Sequence, residues 1–173
     1  MLIFNNKTLK IWFFIGILFI FTMGSLLHFT YTLSGNNKIV ALFSATNESV
    51  WEHLKLALFG TIFFSFIEYW MILGNVRNYF FGRLIGILSM MFFITIMFYT
   101  YTGILGHSIL PVDISLFLIG AIINQFVSYK LMMNENLKNY NLYSFWGLLG
   151  LIFLFFIFTF YPPNFPLFIP SKE

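Results

Sequence analysis

NESVWEHLKLALFGTIFFSFIEYWMIL, Asn47 to Leu73, is the stretch whose reading decides the fold. Four ionisable side chains, Glu48, Glu52, His53 and Lys55, stand at its start and one more, Glu68, near its end; the residues between are apolar or small. At about 1.5 Å per residue such a helix crosses the ~30 Å hydrocarbon core of a bilayer. Asn47 is a favourable N-cap, and Ser49 followed three residues later by Glu52 has the form of a capping box. The helix is therefore expected to start near Ser49 and to end near Leu73, before GNVRN. Trp51 and Trp70, about 28 Å apart on its axis, suit an aromatic anchor at each interface.

The rest of the chain repeats this pattern. Its 173 residues are 60% hydrophobic and 9% charged, with 26 Phe and a mean hydropathy of +0.87, too little polar surface to cover a water-soluble globule. Hydrophobic runs and breakers predict four further spans: about Ile11 to Leu33, ended by SGNN; Phe80 to Tyr101; Val112 to Met132; and Leu142 to Tyr161. They must be helices, because unpaired backbone groups cost several kcal/mol in hydrocarbon and the unbroken apolar runs lack a barrel strand's alternation. The expected architecture is all-α, a single domain over residues 1–173 built as a bundle of five transmembrane helices. Gly82 and Gly86, spaced small-xxx-small, would let two helices approach closely. No half of the chain repeats the other, so inverted-repeat transporter architectures gain no support. The first segment has the basic flank of a signal peptide, Lys7 and Lys10, but is too long and lacks a small-x-small cleavage site; it reads as a retained anchor.

Charge placement gives an orientation. Six of the nine Lys and Arg (Lys7, Lys10, Arg77, Arg83, Lys130 and Lys138) fall on the side of the N-terminus, against Lys38, Lys55 and Lys172 on the other. The positive-inside rule then predicts a multi-pass protein of the cell membrane with a cytoplasmic N-terminus and an extracellular C-terminus. The basic residues are scattered singly rather than gathered in a stripe, which excludes nucleic acid as a partner; the partner implied is the lipid bilayer. There is no cysteine, so a metal would need His, Asp, Glu or backbone oxygens.

That topology gathers the unusual polar residues on the outer side: His28 at the end of the first helix, Glu48, Glu52, His53 and Lys55 opening the second, Tyr99 and Tyr101 closing the third, His107 in the loop and Asp113 starting the fourth. Each has a structural reading beside the functional one. Glu52 can be a capping residue and a surface partner for Lys55, Asp113 can cap its helix, and Glu68 can pair with Arg77 or Arg83. Against this, ionisable groups in membrane helices are costly and usually face an interior cavity when retained. His28, His53 and Asp113 are candidate ligands for Zn²⁺ or a similar ion, with Glu48 or Glu52 as candidate general base. The spacing matches no established zinc signature such as His-Glu-x-x-His.

The motif NESVWEH, with LHFTYTLSGNN (Leu27 to Asn37) before it and FYTYTGILG (Phe98 to Gly106) after it, resembles an uncharacterised family of small bacterial membrane proteins, mostly from Firmicutes, whose hallmark is Asn-Glu-Ser-x-Trp-Glu-His. The resemblance covers most of the chain and implies a multi-helix membrane fold with no established activity. Alkaline-ceramidase-type hydrolases also hold zinc near one membrane face, but their seven helices and paired-histidine ligand motif are not found here.

Two functions are compatible with these residues. One is a metal-dependent hydrolase acting on a lipid or peptide at the outer leaflet. The other is non-enzymatic: binding or transport of a small solute or ion, or service as a membrane subunit, with a homo-oligomer or a membrane protein partner. The tail YPPNFPLFIP, Tyr161 to Pro170, cannot continue the fifth helix and is expected to lie extended along the outer interface, held by Phe165, Leu167 and Phe168.

Overall fold

Five long helices, up and down, make the bundle: α1 Lys7–Leu33, α2 Val50–Ile72, α3 Tyr79–Leu105, α4 Leu110–Met132 and α5 Asn141–Phe160. The computed structural model describes residues 7–72, 76–134 and 140–170. Each of the five is long and apolar enough to cross a membrane, and the expected boundaries are met to within a few residues. The largest differences, four residues each, are at the start of α1, which is helical already at Lys7, and at the end of α3, which runs on to Leu105 and stops at Gly106. Gly106 takes the left-handed conformation (φ 80°) that closes a helix, with its N–H bonded to the Thr102 carbonyl.

Small residues set which helices touch. A side chain at Gly86 would come within 2.8 Å of the Asn124 carbonyl and one at Gly82 within 2.6 Å of the Ser128 carbonyl, so the expected small-xxx-small pair is the seam between α3 and α4. Gly60 on α2 likewise meets the Ile20 carbonyl of α1, and Gly16 of α1 receives the side chain of Gln125 from α4. The last helix, α5, packs by aromatic contact, with Trp51 stacked on Phe155 at 4.0 Å, Phe59 on Phe156 at 5.8 Å, and Phe80 edge-on to Phe145 at 5.0 Å. It also caps a neighbour: Asn141 Oδ1 accepts the free N–H groups of Phe80 (2.8 Å) and Phe81 (3.3 Å) at the start of α3.

Trp51 is not the lipid-facing anchor that its spacing suggests. It is buried beneath Phe155, Phe158 and Phe168, while Trp70 is exposed as expected. The tail stays at the surface, held by Leu167 and Phe168, but it is not extended throughout. It turns back in a single 3-10 turn, Pro166–Phe168, that sets Phe168 on Trp51 at 4.7 Å and leaves Phe165 exposed.

Glu52, Lys55, Glu68, Arg83, Asn124 and Gln125 of the spans point inward, as costly groups do when the surrounding solvent is hydrocarbon. Glu68 pairs with Arg83, one of its two expected partners, and both are buried with Tyr79, Tyr129 and Gln125 around them. Lys55 is also fully buried and paired with Glu52, so this pair is an interior one rather than the surface one expected. Arg83 and Lys55 therefore do not act as loop charges. One lies toward each end of the bundle; Lys138 and Lys172 lie outside the described residues.

Candidate functional site

The site is built on the connection from α1 to α2. After α1 the chain reverses through Gly35 and Asn36, both at positive φ, and a single 3-10 turn, Val40–Leu42, brings it back over the end of the bundle. Ser44 locks it there: its hydroxyl donates to the Leu27 carbonyl and accepts the Tyr31 N–H at 2.9 Å. Phe43 drops between Phe59 and Phe63 of α2.

Beneath this loop lies the Glu52–Lys55 pair. Lys55 Nζ has three donors and three acceptors around it: Glu52 Oε2 at 2.7 Å, the Ala41 carbonyl at 2.8 Å and Thr159 Oγ1 of α5 at 3.1 Å. Glu52 in turn accepts the Thr46 N–H at 2.7 Å and its hydroxyl at 3.0 Å. A buried pair is stable only with its remaining hydrogen bonds satisfied, and here they are. The arrangement replaces half of the expected capping box. Ser49 is the N-cap, accepting the Glu52 N–H at 3.4 Å, and Asn47 Oδ1 accepts the Ser49 N–H at 2.9 Å, but the Glu52 carboxylate goes to Thr46 instead of back to Ser49.

Fixing Thr46 on one side and Ser49 on the other leaves Glu48 at the tip between them, turned toward α1. One carboxylate oxygen, Oε2, lies 3.4 Å from His28 Nε2 and 3.4 Å from His53 Nε2. The two imidazole rings are 5.2 Å apart, and one ligand atom from each of the three residues falls within 4.8 Å of the others. The group is partly open to solvent, with the Glu48 side chain 48% exposed.

The tautomer of His53 follows from its other nitrogen. Nδ1 lies 2.9 Å from the Ser49 carbonyl, which can only accept, so Nδ1 carries a proton. A neutral His53 then presents a lone pair at Nε2, toward a carboxylate that also offers only lone pairs. The contact is favourable when a positive charge is supplied, either by a second proton on the ring or by a cation held between the three groups. Glu48 lies outside the spanning helices; a hydrogen bond from His53 holds its carboxyl below the ordinary 4.5, against the upward pull of partial burial, with charge on His28 and His53 adding to the lowering.

Of the sequence candidates, His28, Glu48 and His53 come together. Asp113 is their neighbour rather than a fourth member: its charge is felt at His53, and its Oδ1 accepts the Tyr101 hydroxyl. That hydroxyl also accepts the Ile109 N–H at 3.2 Å, which holds it against the start of α4. Glu52 is turned away into its pair with Lys55. His107 is exposed in the α3–α4 connection, with Nδ1 3.1 Å from the Leu105 carbonyl. The tail covers Trp51, about 200° around α2 from His53, and so closes the other flank of the helix. Sequence reading paired Lys55 with Glu52 but missed the Thr46 and Thr159 contacts that bury the pair, for which no local signal exists beyond a lysine inside an apolar run.

The chain belongs to a family of unknown function (DUF6512), which matches residues 1–172. No curated protein and no solved structure matches it.

Proposed function

We propose that the chain is a multi-pass cell-membrane protein, N-terminus in the cytoplasm, that binds a divalent transition metal through His28, His53 and Glu48 and uses it in hydrolysis at the outer face. Zinc is the ion that suits two imidazoles and a carboxylate. The observation that carries the reading is the spacing of the donor atoms. Tetrahedral ligands about 2.0–2.1 Å from zinc stand roughly 3.3 Å from one another, whereas a charge-assisted hydrogen bond closes to about 2.7–2.9 Å. Glu48 Oε2 is 3.4 Å from each Nε2, longer than a fully closed ion-pair bond and close to the edge of a coordination polyhedron. The Nδ1–H of His53 on the Ser49 carbonyl is the outer-shell contact that metal-ligating histidines usually make.

A zinc held by these three residues would keep one position for water and would supply acidity there, lowering that water's pKa to about 7. Asp113, whose Oδ1 accepts the Tyr101 hydroxyl, would be the carboxylate to receive the proton. Glu48 serves as ligand and Glu52 as scaffold. A substrate would be a lipid or peptide presented at the outer leaflet, since the group sits at a helix end and is partly exposed.

Metal analysis of the purified protein tests the reading: about one zinc per chain is expected in the wild type, and under about one tenth in His53→Ala. Wild type that stays under a tenth after dialysis against zinc would sink it. Stoichiometric zinc whose hydrolysis of outer-leaflet lipid or peptide is absent, or unaffected by Asp113→Asn, would favour the second reading, a binding site for an ion or small solute.

A further inference from the structure

At the opposite end of the bundle from His28 and His53, α2 and α5 part. Among the described residues their aromatic contacts reach only to Phe59 and Phe156 near mid-helix, and near Trp70 the space between them is a crevice of about 340 Å³, a size in the lower range of ligand sites. Its walls are Ile62, Phe66 and Trp70 of α2 and Leu149 of α5, its floor Phe80 and Arg83 of α3. Phe66 and Trp70 are exposed, so the crevice opens sideways into lipid. From Ile62 to Trp70 it runs about 12 Å along the helix.

Arg83 is unusual there. It is 1% exposed, its Nη1 donates to Gln125 Oε1 at 2.8 Å, its Nη2 donates to Glu68, and Phe64, Tyr79 and Tyr129 surround its guanidinium carbon at 5.4 to 5.6 Å. Among the described residues nothing accepts its Nε–H. Glu68 already balances the charge, so the unpaired group calls for a neutral acceptor rather than a counter-ion. Its depth narrows the choice. Taking the middle of α3 as the bilayer centre, the Arg83 backbone lies nine residues, about 14 Å, from it, at the edge of a hydrocarbon core about 30 Å thick. Acyl ester carbonyls of glycerolipids occupy that level.

We propose that this crevice binds one acyl chain of a glycerolipid, with the chain against Ile62, Phe66 and Leu149 and its ester carbonyl accepting the Arg83 Nε–H. The site is independent of the metal reading, being in the other leaflet. It supplies the missing acceptor without water and fills the gap between α2 and α5.

Removing Arg83 would strand Glu68, so the test changes the lipid. The full chain in nanodiscs is exchanged against palmitoyl-oleoyl-phosphatidylglycerol or its diether analogue, and retained lipid is counted by native mass spectrometry. One lipid per chain is expected, with the ester form retained about tenfold over the ether, the effect of one hydrogen bond to a charged donor. Leu149→Trp, which fills the crevice, is expected to lose that lipid while unfolding at the wild-type temperature. Equal retention of ester and ether, retention unchanged by Leu149→Trp, or displacement by oleate at lower concentration than by the ester would each overturn the proposal.

Discussion

Two carboxylates four residues apart, Glu48 and Glu52, have opposite tasks, and substitution separates them. Glu48→Gln is expected to weaken zinc binding at least a hundredfold, more than the 10–100-fold typical of outer-shell changes, while Glu52→Gln changes it by under about tenfold. Competition with a chelating dye reads both, and equal losses would contradict the division. Lys55→Met leaves Glu52 buried without its partner and should destabilise by about 3–5 kcal/mol, most of it regained in the Glu52→Gln, Lys55→Met double variant. Thermal unfolding in detergent measures this. The pH dependence of Glu48 has a definite sign. Its folded pKa is below the ordinary 4.5, so while the His53 imidazole is charged its contribution to stability is complete above pH 4.5 and is lost as pH falls through the lowered value. The stability gap between metal-free wild type and Glu48→Gln should therefore narrow on acidification below 4.5; a widening gap would refute the assignment. The sequence placed His28, Glu48, His53 and Asp113 at one end but could not order them. The role of each carboxylate depends on which way a two-residue segment, Asn47 and Glu48, turns between Thr46 and Ser49, and that turn is set by contacts distant in sequence.

The helices were legible because their signals are local: SGNN stops α1 and Pro111 lies in the first turn of α4, whereas Gly106, which ends α3, was passed over in favour of Tyr101. Their faces were not. α2 carries apolar side chains all the way round, so periodicity does not mark which side meets protein and which meets lipid. Trp51 was misplaced for this reason, while the glycines, which report close approach directly, were informative. Gly86→Leu must push α4 off α3, because the Asn124 carbonyl stands 2.8 Å from where its first carbon would be and backbone cannot step aside. A loss of several kcal/mol, or of the folded monodisperse species in detergent, is expected; Gly103→Ala, with open space around it, should fall within about 1 kcal/mol of wild type.

At the scale of the whole molecule the open prediction is orientation. The chain has no cysteine, so single cysteines at Lys10 and Lys38 can be labelled with a membrane-impermeant maleimide. Lys38→Cys in intact cells should react at once and Lys10→Cys only after permeabilisation; the reverse result would turn the histidine end to the cytoplasm and end the outer-face hydrolase reading. Composition alone identified the membrane as solvent, and that in turn explains why the interior holds Arg83, Glu68, Gln125 and Asn124 while phenylalanines face outward. The same solvent poses a problem of depth. In water a helix is positioned by the border between its apolar and polar sides, but α5, almost uniformly greasy, could slide along the membrane normal with little change in transfer energy. Asn141 at one end, bound to the head of α3, and Thr159 at the other, bound to Lys55, are tethers eighteen residues apart that are satisfied together at a single height. A slip of one residue, about 1.5 Å with a turn of 100°, breaks both. During insertion, then, the last helix is gauged like a key against two wards, and the earlier helices hold their unpaired groups until it seats.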